Sequence, residues 1–513
     1  MNIAQWLSRA AREHGDNPAI FSGKKQYGTY KDLNITVGQV SNWLKSLGIK
    51  PGDRVAIFMV NQTDYLCLLF GIWCSGAVAV PINAKLHVRE VTWIVENAEA
   101  KLTLASGQQF ENLQRVTGFW NANSKLIDFC DETMLGISKN LSCEPVSRRE
   151  SSDLAWLFYT SGTTGRPKGV MITHGMLKSM AFSYFVDVDE VRQEDAAIYS
   201  APFSHGAGLY SIMHVLKAAR HVFPRSGGFS PKEVLDLSEH FQSAHMFAAP
   251  TMVKRLTAAS KASGRAPKGI RTIVYAGGPM YKSDIIEAVD WFGPVFVQIY
   301  GQGECPMAIT ALSRKAVSDR THPRWEERLT SVGSAQSVVE VQIGDPSGKP
   351  TEEGQIGEIM VRGDPVMPGY WRNSDASEKA LAQGWLHTGD IGYMDHEGYI
   401  TLKDRSNDLI ISGGSNIYPR EVEEVLLMHP CIIEAAVIGR YHPDWGEEVI
   451  AFIVLRDQIK ISSAEIGEFC QRHIAAYKRP KGYITLKVLP KNNYGKILKT
   501  ELRILVETSP LLG

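Results

Sequence analysis

The sequence predicts an α/β protein: a large N-terminal domain of parallel or mixed sheets flanked by helices, then a small C-terminal α+β domain. Three observations carry this. From Pro18 to about Ile400, short β-branched runs alternate with amphipathic helical patterns, the order that builds parallel sheets covered on both faces. Several runs, such as Ile270 to Tyr275 and Val295 to Tyr300, end in glycine-rich turns. After Gly398-Tyr-Ile-Thr-Leu402 the pattern changes. A charged connector, Asp404-Arg-Ser-Asn-Asp408, leads into about 105 residues with their own mixture of helices and strands. The expected division is 1–404, a junction at 405–408, and 409–513.

The elements follow in order. Ile3, Trp6, Leu7 and Ala10 mark one face of a short helix, and Glu13 and Asp16 behind it are acidic where a transit peptide is not. Arg54 to Met59 reads as a strand and Thr63 to Cys74 as the helix after it. Tyr65 to Ile82 carries no charge and approaches the minimum membrane-spanning length of about 18 residues. Gly76 and Pro81 break it, and Thr63-Asp64 has the form of a helix start, so the reading is a buried helix and a short strand. Past the junction come a helix (Pro419 to Met428), two strands (Glu434 to Ile438, Glu448 to Val454), a helix (Ser463 to Ala476) and a basic tail.

Composition narrows the function. Hydrophobic residues make up 44% and charged residues 21%, which fits a globular protein with a sizeable core. Lys+Arg and Asp+Glu both number 55, so no whole-molecule field attracts nucleic acid or an anionic membrane. Phosphate binding must then be local. The seven cysteines are scattered, odd in number and without a C-x-x-C pair, which argues against a disulfide framework or zinc site. They suit a reducing, cytoplasmic compartment.

The strongest chemical signal is Tyr159-Thr-Ser-Gly-Thr-Thr-Gly-Arg-Pro-Lys-Gly169. Backbone N–H groups and four hydroxyls can donate to phosphate oxygens while Lys168 neutralises their charge. It is not a Walker A loop, which wants Gly before the lysine and Ser or Thr after it; here Pro167 precedes and Gly169 follows. The segment resembles the phosphate-loop signature of the adenylate-forming (AMP-binding) superfamily, in its acyl-CoA synthetase branch. Further motifs follow in that family's order: Pro202-Phe-Ser-His-Gly-Ala-Gly208, Ala276-Gly-Gly-Pro-Met280, Tyr300-Gly-Gln-Gly-Glu304, Gly384-Trp-Leu-His-Thr-Gly-Asp390 and Pro490-Lys-Asn-Asn-Tyr-Gly-Lys496.

The resemblance implies an ATP-dependent carboxylic acid:CoA ligase that forms an acyl-adenylate and then a thioester, with Mg²⁺ as cofactor. Thr160, Ser161, Gly162, Thr163, Thr164, Gly165 and Lys168 would cradle the phosphates. Gly278, Pro279, Tyr300, Gly301 and Gln302 would meet the adenosine, and Asp390 and Arg405 the ribose or phosphate. Glu304, with Thr160, would hold Mg²⁺. Gly303 departs from the family, which has Thr or Ser there, and removes a hydroxyl contact to the α-phosphate. Phe203, His205, Leu209, Ala276, Gly277, Pro306 and Met307 would line the acyl pocket, His205 also standing beside the thiol tunnel as a candidate catalytic group. Asn407 would be the hinge of a mobile small domain. Lys496 would bridge the carboxylate and the α-phosphate, and Gly413, Gly414 and Trp445 would meet CoA.

The chemistry needs such a set. Joining a carboxylate to AMP gives it a good leaving group, but two anions must first meet, so positive charge must converge on the phosphorus. No general base is required, because the attacking oxygen is already ionised. Two alternatives stand beside this reading: an adenylating enzyme whose acceptor is a carrier-protein thiol, and a nucleotide-binding regulator without catalysis. No acidic residue occurs between Pro202 and Lys232, which weakens an amino-acid substrate. The acid, aliphatic or aromatic, is not readable, and the oligomeric state, a homodimer included, stays open.

Overall fold

The structure, a computed structural model, describes residues 1–115, 124–130, 133, 136–137, 142–160, 167–264, 268–278, 280–405, 408–412, 415–456, 461–492, 495–507 and 509, without the side chains of residues 404 and 405. The chain forms two compact units. The first comprises Met1–Pro279, Ile286–Val341 and Val361–Leu386, the second Met280–Ile285, Gln342–Met360 and His387–Gly513.

The first unit contains two sheets. One has nine strands in the order Ser334–Ala335, Cys305–Leu312, Phe296–Gln302, Ile270–Tyr275, Ala244–Ala248, Ala196–Ile198, Arg220–Phe223, Pro18–Ser22 and Lys25–Thr29. Its central six strands are parallel and its edges antiparallel. The other runs Lys125–Asp128, Ala100–Ala105, Arg54–Phe58, Val78–Ile82, Leu154–Thr160, Lys168–Thr173 and is parallel except for its last pair. Strand–helix alternation thus builds parallel sheets, as expected.

The uncharged run is a helix, Thr63–Ser75, buried from Tyr65 to Ser75, followed by the fully buried strand Val78–Ile82. Gly76 ends the helix in the left-handed region, φ 82°, which a residue with a Cβ adopts at a cost. Among the described residues no helix is long and apolar enough to cross a membrane. All seven cysteines are free thiols.

The second unit holds most of the four-stranded sheet Val339–Gly344, Gly357–Gly363, Leu386–Met394, Ile400–Arg405, of which Val339–Val341, Val361–Gly363 and Leu386 count with the first unit, and a five-stranded sheet. In the latter, Ile432–His442 and Gly446–Leu455 form a long hairpin, longer than the expected Glu434–Ile438 and Glu448–Val454. The hydrophobic alternation stops at Ile438, but the ladder continues, carried by the cross-strand Arg440–Glu448 ion pair at 2.7 Å. Alternate residues face two cores. Ala435 and Val437 pack toward Val422 and Leu426 of the Pro419–Leu427 helix, and Ala436 and Ile438 toward Leu489 and Leu502. The helix expected to reach Ala476 stops at Gln471, because the His473 and Ile474 amides turn back onto the Cys470 carbonyl at 3.0 and 2.9 Å.

Five histidines of the first unit sit in environments that keep them neutral. Burial pushes His174 and His205 down to about 3 and His214 to about 4, and holds His221 and His245 well below the ordinary value. In the unfolded chain each titrates near 6.5. The folded value is the lower one, so stability is full above about pH 6.5 and is lost as pH falls toward 3, where the unfolded chain binds protons the folded one refuses. The thermal midpoint should fall steeply between pH 6.5 and 4.5, each buried histidine adding about 1.4 kcal/mol per pH unit to the slope. A midpoint flat across that window would contradict the neutral assignments.

Candidate active site

Two antiparallel strand pairs of the first unit meet at one tyrosine. In the first, Thr160 ends the Leu154–Thr160 strand and stands opposite Lys168, which opens Lys168–Thr173. Residues 161–166 between them, with the expected phosphate contacts Ser161, Gly162, Thr163, Thr164 and Gly165, lie outside the described residues. In the second, the Phe296–Gln302 strand runs two residues beyond its expected end and turns into Cys305–Leu312, Gln302 pairing with Cys305. Gly301 permits this hairpin: a Cβ there would lie 2.6 Å from the Met307 amide nitrogen.

Tyr370 joins the two turns. Its hydroxyl donates to Glu304 Oε1 at 2.6 Å, and the Lys168 ammonium lies 5.1 Å from its ring centroid. Its own backbone is held by the Ser377 hydroxyl, which accepts from the Tyr370 amide at 2.8 Å, and by a bridge to Val170. Next to it, the Trp371 amide donates to the Gly169 carbonyl at 2.7 Å. The ring's face meets a cation and its hydroxyl a carboxylate, and Glu304 is half-buried. Sequence reasoning missed Tyr370. The signal was the aromatic pair in Pro368-Gly-Tyr-Trp371, which has no chemical meaning until the fold brings it under Lys168.

Among the described residues no cluster of three or more His, Cys, Asp or Glu side chains forms a metal site by itself. Glu304 offers one carboxylate beside Thr160. That suits a magnesium ion carried in on phosphates, which takes one or two carboxylates and keeps several waters.

The Gly303 departure has a structural reason. A Cβ there would stand 2.7 Å from Thr160 Cγ2 and 3.0 Å from Phe158 Cδ1. Phe158 in turn packs edge-on against His205, ring centroids 4.7 Å apart. The space a threonine would fill is taken first by the Thr160 methyl and then by the Phe158 ring, so a side chain at 303 would crowd both.

His205 stands at the residue just before the Gly206–Leu216 helix without a side-chain capping bond, and its Nδ1 lies 2.9 Å from the Ser204 hydroxyl. Neutral and weakly basic at pH 7, it suits lining rather than proton uptake. A Cβ on Gly206 would meet Phe247 at 2.8 Å and Met307 Cε at 3.0 Å, so Met307 reaches the same helix start. Met307 itself holds φ 60°, a strained conformation of the kind found at binding sites. Leu209 and Pro306 are buried nearby in sequence; Phe203 packs among Tyr65, Tyr199 and Phe223 in the aromatic core. Ala276 is buried, Gly277 exposed with φ 85°, Gly278 half-buried, and Pro279 lies outside the described residues; Tyr300 is buried.

The remaining candidates belong to the second unit. Asp390 is buried, but within the Leu386–Met394 strand rather than at the expected strand–turn junction. Gly389 at φ 69° and the Thr388 hydroxyl, which accepts from the Asp390 amide at 3.1 Å, make the local bend without ending the strand. Asp390 pairs in register with Arg405, whose side chain lies outside the described residues, as do Asn407, Gly413 and Gly414. Trp445 is exposed at the tip of the long hairpin. Lys496 is exposed on a small closed loop: the Lys491–Ile497 bridge shuts it, and the Lys496 amide donates to Asn492 Oδ1 at 2.9 Å.

Gly303→Thr should destabilise the first unit by about 1–3 kcal/mol through overpacking, and Phe158→Leu in the same chain should recover at least about 0.5 kcal/mol of it. Chemical denaturation of the single and double variants checks this; strictly additive effects would mean that the two side chains do not compete for space.

Comparison with known proteins agrees with this geometry. The family of AMP-binding enzymes matches residues 7–371, and the AMP-binding enzyme C-terminal domain matches residues 421–496. A feruloyl-CoA synthase from Amycolatopsis sp is 32% identical over 505 residues, 98% of each chain. A long-chain-fatty-acid–CoA ligase from Mycobacterium tuberculosis is 33% identical, over 93% of this chain and 92% of its own. Among solved structures, ATP-bound MatB from Rhodopseudomonas palustris superposes with a TM-score of 0.88 at 27% identity, over 99% of each chain. The chain belongs to the AMP-binding enzyme family, with the family's main and C-terminal domains in order.

Proposed function

We infer that this chain is an ATP-dependent, AMP-forming carboxylic acid:CoA ligase. The observation that carries the reading is the meeting of Lys168, Tyr370 and Glu304 beside Thr160, a cation and an acceptor set held a ring apart. The relatives named as CoA ligases, matched over nearly their whole length, support CoA as the acceptor.

In the first half-reaction a carboxylate oxygen attacks the α-phosphorus of ATP, and the bond to pyrophosphate breaks. Lys168 neutralises the phosphates from one side and Lys496 bridges carboxylate and α-phosphate from another, each such donor contributing about 10²–10³ in rate. Magnesium held by Glu304 with Thr160 supplies further positive charge when bound. Tyr370 keeps Lys168 and Glu304 oriented; Asp390 and Arg405 take the ribose side. In the second half-reaction the CoA sulfur attacks the acyl carbon, AMP leaves, and the thiol proton passes to solvent. Before that attack the junction at 405–408, with Asn407 as pivot, exchanges Lys496 for Gly413, Gly414 and Trp445, a lid-and-hinge step. The free cysteines suit a reducing, cytoplasmic compartment.

Purified protein given ATP, Mg²⁺ and a panel of acids should exchange labelled pyrophosphate into ATP, and added CoA should convert the active acids to thioesters. No exchange with any acid would end the reading; exchange without thioester would leave adenylation with another acceptor. Lys496→Ala should cut exchange by about 10²–10³ while sparing thioester formation from supplied acyl-adenylate. Asn407→Pro, with φ locked near about −65°, should slow the second half-reaction more than the first.

A further inference from the structure

The strand that follows Glu304 passes through a residue whose backbone is costly to hold. Met307 has φ 60°, in the left-handed region that a residue with a Cβ rarely adopts, and such a conformation persists only where the surroundings over-determine it. Met307 is seated on two glycines. Its amide nitrogen and Cα lie 2.6 and 2.9 Å from where a Cβ on Gly301 would stand, and its Cε lies 3.0 Å from the same point on Gly206. Backbone and side chain therefore meet the hairpin on one side and the helix start beside His205 on the other.

The glycines give Met307 room, but they do not hold it. A buried glutamine does. Gln336 follows the short edge strand Ser334–Ala335 and is 1% exposed. Its Nε2 donates to the Met307 carbonyl at 2.9 Å and to the Thr310 carbonyl at 3.0 Å, and its backbone N–H donates to the Ile309 carbonyl at 3.0 Å. Carbonyls only accept, so the amide can be oriented in one way: nitrogen toward the Cys305–Leu312 strand, oxygen toward the Ser183 hydroxyl, which donates to it.

Ser183 is itself buried and anchored. It ends the His174–Ser183 helix, which follows the Lys168–Thr173 strand directly and opens into one π-helical turn, Tyr184–Val188, an irregularity frequent at functional sites. Asp187 of that turn accepts from the Ser337 amide at 2.9 Å and from the Ser337 hydroxyl at 2.6 Å. Two successive residues, Gln336 and Ser337, are thus tied to the element that continues from Lys168. Gln336 carries that anchorage to the Met307 carbonyl.

We propose that Gln336 is a positioning residue for acid selection: by holding the Met307 carbonyl it keeps Met307 left-handed, with its side chain toward Gly206, and so fixes the wall of the acyl site at that point. The proposal rests on the acid:CoA ligase reading, in which Met307 and His205 line the acyl site, and it adds the residue that sets the Met307 wall. Gln336 touches no reacting atom. An apolar side chain of similar length would fill its space but would leave the Met307 carbonyl without this donor, and residue 307 would be free to return to an ordinary conformation. Lys168 and Glu304 are held by Tyr370 instead, so ATP binding does not depend on the glutamine.

Gln336→Met keeps the length of the side chain and removes both of its donor bonds. Thioester formation with dodecanoate, benzoate and cinnamate as probe acids yields KM for acid and for ATP separately. For the acids the wild type uses, the variant should raise KM for the acid by about tenfold and leave KM for ATP within about twofold. Ser183→Ala, which keeps the glutamine but removes its anchor, should shift KM for the acid in the same direction by a smaller factor. A glutamine with a merely structural role would lower kcat with the folded fraction and leave both KM values alone; that result, or a parallel rise in both, overturns the proposal. In acid-free protein, the crystal structure of Gln336→Met should show Met307 outside the left-handed region, and a Met307 still near φ 60° overturns the proposal whatever the acid. Wild-type protein that exchanges pyrophosphate with no acid at all would instead defeat the ligase reading, and acid selection with it.

Discussion

The hydrogen bond from Tyr370 to Glu304, with Lys168 lying over the same ring, is the constraint on which the first unit's active surface depends. A protein that activates a carboxylate with ATP must hold positive charge for the phosphates and an oxygen ligand for their metal within a few ångströms of each other. Left to themselves, an ammonium and a carboxylate at that distance attract each other and blunt both. An aromatic ring between them solves the problem in two ways. Its face stabilises the cation, its hydroxyl fixes the carboxylate, and neither side chain is consumed by the other. Both strand pairs that carry these residues are antiparallel pairs flanking parallel strands, so the site is built where chain direction reverses.

The same site shows how small residues serve large neighbours. Gly301 lets a hairpin close on the Met307 backbone, Gly206 admits Phe247 and Met307 at the start of a helix, and Gly303 leaves room for the Thr160 methyl and the Phe158 ring. The hydroxyl lost at position 303 thus goes with the close packing of Thr160 and of Phe158, whose ring lies against His205. An active phosphate surface with aromatic surroundings, in a chain of zero formal charge, fits a protein that binds its anions by local geometry rather than by a whole-molecule field.

Much of this was legible in the sequence. The α/β class, the buried helix of Thr63–Ser75 and the family motifs rest on local patterns, hydrophobic periodicity and glycine spacing, which need no tertiary knowledge. What escaped were facts created by contact. Tyr370 is far from Lys168 and Glu304 in sequence, and a tyrosine beside a tryptophan reads as core. The long hairpin beyond Ile438 is held by an ion pair between strands, so no hydrophobic alternation announces it. Asp390 reads as a turn residue because Thr-Gly-Asp usually is one, yet backbone pairing with Arg405 keeps it in a strand.

The central claim is that Tyr370 holds Glu304 and Lys168 in the state that receives metal-bound ATP. The most direct measurement is the magnesium dependence of pyrophosphate exchange in Tyr370→Phe, which keeps the ring over Lys168 and removes only the hydroxyl. The account predicts about a tenfold loss of exchange at low Mg²⁺, from about 1–1.5 kcal/mol of lost hydrogen bonding to a charged group, recovered in part as Mg²⁺ is raised. A variant with the wild-type rate and the wild-type magnesium requirement would contradict it.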